Sequence, residues 1–176
     1  MAPIQACPLP EDALLCKYLR RGAYADCFVT EIARHVSHAE FVEAFYTTAL
    51  FKAERLVLTT FVSRPSTDLQ ARELATGKAD SFAAWTVEAR GPDQLLLCDF
   101  QGRTRSWLLC VPVQTNASAS TRLYFGSAVV PKTHARSGEV RIGVVFSALL
   151  GFHKHYSRAL LRAAASRLER SPSVKP

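Results

Sequence analysis

The chain has 176 residues, 48% of them hydrophobic and 21% charged, with a formal net charge of +7. That length and balance suit one soluble globular domain with a real core. They exclude bilayer insertion, because no apolar run approaches the roughly 18–20 residues a span needs; with no signal-peptide pattern in the first nine residues, a cytoplasmic setting is expected.

Residues 1–10 read as an irregular arm punctuated by Pro3, Pro8 and Pro10. Glu11 to Arg20 suits a short helix, acidic first and basic last, with Leu14, Leu15, Tyr18 and Leu19 on its buried side and Gly22 ending it. Residues 1–22 thus form an N-terminal arm and short helix. Tyr24 to Val36 is the first expected strand, with Phe28, Thr30 and Ile32 on one side. Ser37-His38-Ala39-Glu40 is a capping box that opens a helix carrying Phe41, Val42, Phe45 and Tyr46. Thr47-Thr48 interrupts it before a further helical segment, Leu50 to Phe61. Thr67-Asp68-Leu69-Gln70 opens another helix, which closes near Gly77.

The period then changes from helical to alternating. Phe82 to Arg90, Gln94 to Phe100, Arg103 to Val113 and Thr121 to Pro131 form a meander of four strands. Turns at Gly91-Pro92-Asp93 and Gln101-Gly102, and a polar loop from Gln114 to Ser120, separate them. Such short connections favour antiparallel neighbours. Trp85 and Trp107 are both expected on the inner face. After a glycine- and charge-bearing link, Lys132 to Gly143, the last helix runs from Val145 to Glu169, and residues 170–176 form a tail. Val145, Phe146, Leu149, Phe152, His153, Tyr156, Leu160, Ala163 and Ala164 share one stripe at helical spacing. Lys154, His155, Arg158, Arg162 and Glu169 lie opposite. A stripe that broad needs a sheet face to cover. The expected class is therefore α+β, a curved antiparallel sheet wrapped around a long C-terminal helix.

Local segments strengthen that architecture. Ala84-Trp85-Thr86-Val87, Arg105-Ser106-Trp107-Leu108-Leu109, Leu123 to Pro131 and Leu149-Leu150-Gly151-Phe152-His153-Lys154-His155-Tyr156 resemble the helix-grip fold of the START and Bet v 1-like (SRPBCC) superfamily. They are most similar to an uncharacterised bacterial family within or near that class. The resemblance covers most of residues 24–165 and implies a ligand cavity between sheet and helix. It includes no catalytic motif, and the superfamily spans lipid carriers, cyclases, hydroxylase domains and chaperone activators. The extra N-terminal helix and third helical segment depart from the usual pattern.

Chemistry-bearing patterns are sparse. The five cysteines are scattered without a C-x-x-C pair, which is neither a disulfide framework nor a zinc pattern. His153 and His155 lie about 200° apart around a helix and cannot share a metal. His35 and His38 lack further ligands, and His38 is expected in solvent at a helix start. There is no nucleophile elbow and no phosphate loop. Glu88 is expected to face out, and Asp99 sits alone near a turn. No metal or cofactor is expected, and no residue is assigned a catalytic role. The basic residues are spread and not interleaved with aromatics, which argues against nucleic acid.

What remains is an aromatic and polar set: Trp85, Arg105, Trp107, Phe125, Ser127, His153 and Tyr156. Read as a pocket, it binds a small apolar or amphipathic molecule, with His153 and Tyr156 orienting a polar group and Arg105 pairing a carboxylate. Two alternatives stand beside it: a cyclase- or hydrolase-like enzyme with His153 as general acid or base, and a protein-interaction domain with a filled core. The oligomeric state is left open, a dimer included.

Overall fold

The computed structural model describes the backbone of residues 1–53, 66–115, 118–130 and 144–170, and their side chains apart from those of 115, 118 and 144–152. Seven strands make one antiparallel sheet: β1 (Gln5–Ala6), β2 (Tyr24–Ile32), β3 (Ser81–Phe82), β4 (Trp85–Arg90), β5 (Gln94–Asp99), β6 (Thr104–Thr115) and β7 (Ser118–Val129). Their order is β1-β2-β7-β6-β5-β4-β3, so the sheet is open and not a barrel. The described residues include the helices α1 (Cys16–Leu19), α2 (His38–Tyr46), α3 (Asp68–Ala75) and α4 (Val144–Arg170). The expected α+β class, antiparallel meander and long C-terminal helix are all present. Among the described residues no helix is long and apolar enough to cross a membrane.

Local chemistry sets the helix starts. Ser37 accepts from the Glu40 N–H while Glu40 reaches back to the Ser37 N–H, and Thr67 and Gln70 repeat the exchange. Each pair satisfies donors that the first helical turn leaves without partners. Residues 49–53 add helical turns after the break at Thr47-Thr48; the rest of the expected segment to Phe61 lies outside the described residues, as do the link from Lys132 to Gly143 and residues 171–176.

Both sheet faces are covered. On one side α2, α3 and α4 bury Phe28, Ile32, Leu95, Leu97, Leu108, Leu123 and Phe125. On the other, the N-terminal arm and α1 bury Cys27, Leu96, Trp107, Leu109 and Ala128. This second layer corrects the expected position of Trp107. Its ring is fully buried, but on the side away from α4. There its Nε1 donates to Gln94 Oε1 at 2.9 Å, and Gln94 Oε1 also accepts from the Leu14 N–H at 3.0 Å. Gly126, its cross-strand partner, makes room: a Cβ there would lie 2.9 Å from Trp107 Cε3 and 3.0 Å from the Asp26 carbonyl oxygen.

Several boundaries also differ from expectation. The arm is not irregular throughout, since β1 pairs with β2 and the Cys7 N–H donates to the Cys27 carbonyl at 3.0 Å. The first helix is confined to α1, because turns occupy the residues before it. β2 ends at Ile32, four residues early. Phe82 to Arg90 is two strands, reversed at Ala83, whose φ of 52° lies in the left-handed region. The polar loop at Gln114 to Ser120 belongs mostly to β6 and β7, which pair out to Thr115 and Ser118.

Candidate functional site

A cavity of about 670 Å³ opens between the helix-bearing face of the sheet and α4. Phe45, Phe51, Trp85, Phe125 and Leu160 give it apolar walls, while Ser106, Ser127, His153, Tyr156 and Ser157 bring polar groups to it. Alternation explains the sheet's share. Ser106 and Leu108 face the helices from β6, and Phe125 and Ser127 do so from β7, where each pair's strand neighbours point away. On α4 the deeply buried side is Ser157, Leu160, Leu161, Ala164, Ala165 and Leu168. His153 and Tyr156 sit half-buried toward its start. The expected stripe is therefore rotated slightly, and the side chains of Val145, Phe146, Leu149 and Phe152 lie outside the described residues.

Six of the seven residues singled out from the sequence border this cavity: Trp85, Arg105, Phe125, Ser127, His153 and Tyr156. Trp107 does not, for the reason given above. Arg105 borders it while its guanidinium is engaged elsewhere. Nε donates to Glu88 Oε2 at 2.6 Å and to Tyr18 Oη at 2.8 Å, and Nη1 donates to the Gly102 carbonyl at 2.9 Å. Burial alone would raise the Glu88 pKa, but hydrogen bonds from Lys17, Tyr18 and Arg105 outweigh it and hold the carboxyl below its usual range. The expected Arg105 pairing with a ligand carboxylate is thus corrected: this cation already has an anion, under α1.

The polar centre of the site is a set of three. Asp26 and Ser127 are direct cross-strand partners on β2 and β7, and α4 lowers His153 onto them. Ser127 Oγ donates to Asp26 Oδ1 at 2.6 Å, and the Ser127 N–H reaches the same oxygen at 3.2 Å. His153 Nε2 lies 2.6 Å from Ser127 Oγ and 4.0 Å from Asp26 Oδ2. A hydroxyl has one proton. Because Asp26 receives it, His153 Nε2 is the donor to Ser127 Oγ and carries a proton itself. A hydrolytic serine needs the reverse, with histidine between serine and carboxylate and accepting the hydroxyl proton. This geometry positions an imidazole and does not activate a nucleophile. Tyr24 closes the far side, its hydroxyl 3.4 Å from Asp26 Oδ2; burial first, then the Asp26 charge, pushes its phenol up to about 12.

Two further polar atoms matter. Trp85 Nε1 and Ser157 Oγ are buried without a hydrogen-bond partner among the described residues, and both residues line the cavity. Ser157 and Asp26 were not singled out from the sequence. Asp26 carried a signal, since it shares the inward register of Phe28, where a carboxylate is unusual. Ser157 lies one residue beyond Tyr156, at the centre of the buried side. Among the described residues there is no cluster of histidine, cysteine and carboxylate groups suited to a metal.

Comparison with protein-family models, curated proteins and solved structures finds no match to this chain.

Proposed function

We propose that the chain binds a small apolar or amphipathic molecule in the cavity between the sheet and α4, in the helix-grip manner that its sequence resembles. The observation that carries this reading is the cavity itself: about 670 Å³, within the roughly 300–1,000 Å³ of small-molecule sites, with mostly apolar walls and a few convergent polar groups. A filled core would have closed it, since protein interiors pack with few voids larger than a water molecule. His153, held by Ser127 and Asp26, and Tyr156 are the orienting groups; Trp85 and Phe125 are walls. The reading includes a cytoplasmic protein that acts by holding a molecule, without metal or cofactor.

The test is native mass spectrometry of the purified chain together with titration by Nile red, an uncharged dye that brightens in apolar surroundings. One dye per chain should bind, and Thr104→Trp, which adds bulk at a half-buried position of the cavity wall, should weaken it about tenfold or more. No co-purifying mass and no dye binding would reject the proposal.

A further inference from the structure

We infer that Cys7 and Cys27 are a reversible redox pair: a peroxide closes them into a disulfide that fastens the N-terminal arm to β2, and a thiol reductant reopens it. The pair lies on the sheet face away from the cavity, so this inference does not depend on what the cavity binds.

The first observation is geometric. β1 pairs with β2 as Gln5 to Val29 and Ala6 to Phe28. One residue further, the same register sets Cys7 opposite Cys27, where the Cys7 N–H donates to the Cys27 carbonyl at 3.0 Å. Hydrogen-bonded cross-strand partners hold their Cα atoms about 5.5 Å apart, a spacing that a disulfide spans. The two Sγ atoms already lie 3.5 Å from each other, so side-chain rotation closes the bond without moving the strands. The other cysteines are placed differently: Cys16 Sγ donates to the Pro10 carbonyl, Cys98 Sγ to the Asp99 carbonyl and Cys110 Sγ to the Val36 carbonyl.

The second observation is access. Cys7 is half-buried on an edge strand, between the exposed Ala6 and Pro8, whereas Cys27 is 3% exposed. Short edge segments open locally at little cost, so Cys7 is the sulfur that a small oxidant reaches first. Cys27 needs no access of its own, because the sulfur it attacks already stands beside it. The Cys7 thiolate attacks one peroxide oxygen and the O–O bond breaks. The sulfur becomes a sulfenic acid, and the other oxygen leaves as water with the thiol proton. Cys27 Sγ then attacks Cys7 Sγ: the S–S bond forms, the S–O bond breaks, and a second water leaves with the Cys27 proton. Two thiols give up two electrons, and one peroxide becomes two waters. Burial pushes both thiols up from their ordinary range, so the pair reacts slowly and stays open until oxidant accumulates. In a reducing compartment such bonds are transient and report oxidation.

The test uses the full chain, first reduced, then held with hydrogen peroxide at about pH 8, where more of each thiol is ionised, and then alkylated. Oxidation should lower the count of five free thiols by the one pair, while the intact mass stays that of a single chain. A tryptic digest should link the peptides Met1–Lys17 and Gly22–Arg34, and dithiothreitol should part them. Cys16 shares the first peptide, so two variants assign the sulfur: Cys16→Ser should keep the link and Cys7→Ser should lose it. The bonded cysteines lie 20 residues apart and enclose α1. Closing that loop constrains the unfolded chain, so the linked protein should melt about 5 °C higher than the reduced one. The wild-type peptide map needs no variant to fold. A link that survives Cys7→Ser, thiols oxidised singly with no link, or no reaction with peroxide would overturn the inference. A linked chain that melts no higher than the reduced one would overturn the fastening of the arm.

Discussion

His38 opens α2 with its ring turned into the protein, where Nε2 has no hydrogen-bond partner among the described residues. It is not the solvated residue that a helix start suggests. Burial pushes its imidazole pKa down to about 4; Asp93 and the Leu108 backbone oppose that shift, and Arg90 adds to it. In the unfolded chain the ring titrates near its ordinary value of about 6.5. Below that pH the unfolded state takes up a proton that the folded state refuses, so stability falls as pH drops from about 6.5 toward about 4 and is fully present above 6.5. Allowing for partial exposure, urea melts at about pH 7 and about pH 5 should differ by roughly 1–2 kcal/mol. His38→Gln should flatten that difference. The interval from about pH 7 to about pH 5 lies above the ordinary carboxylate value, where the contributions of Glu40 and Glu88, both held below that value, begin to be lost. Equal slopes in the two proteins would mean that the ring is solvated.

Among the elements, α4 carries the sharpest test. Leu160 is 3% exposed and faces both the cavity and the core, so Leu160→Ala should cost about 2–5 kcal/mol in a urea melt. Arg162, on the exposed side, should change stability by less than about 0.5 kcal/mol when replaced by alanine. Similar losses from both would mean the helix is turned. Arg158 is a poorer control than its exposure suggests, because Nη2 donates to the Ile4 carbonyl at 3.1 Å and the guanidinium lies over Phe28. How far such details could be read in advance follows from their range along the chain. The capping boxes at Ser37 and Thr67 were legible because each involves residues three apart. The partition of β6 into Trp107 and Leu109 against Ser106 and Cys110 was legible too, since alternation fixes it. Which of those faces meets α4 was not. That depends on Leu15, Tyr18 and the arm covering the second face, and a helix's own apolar spacing does not say which face of a distant sheet it will cover. The Asp26–Ser127–His153 set was hidden for the same reason, its members being distant in sequence and joined by register. The reversal at Ala83 had no glycine to announce it.

At the scale of the whole molecule, seven strands end on two-residue strands, β1 and β3. The long strands β2, β6 and β7 lie inside. β1 and its flanks cover much of β2: the Ala2 N–H donates to the Glu31 carbonyl at 3.0 Å, Thr30 Oγ1 to the Ala2 carbonyl at 2.7 Å, and Cys7 to Cys27 as described. Arg158 holds the same segment from α4 through the Ile4 carbonyl. Without that cover, the nine residues of β2 would present open donors and acceptors to any extended chain. An uncovered edge is a template for sheet growth from one molecule to the next. Deleting residues 2–7 should therefore turn a species of constant mass into one whose mass rises with concentration in sedimentation, and an unchanged mass would show that β2 protects itself. The arm thus does for β2 what closure does for a barrel strand: it leaves that edge no open ladder.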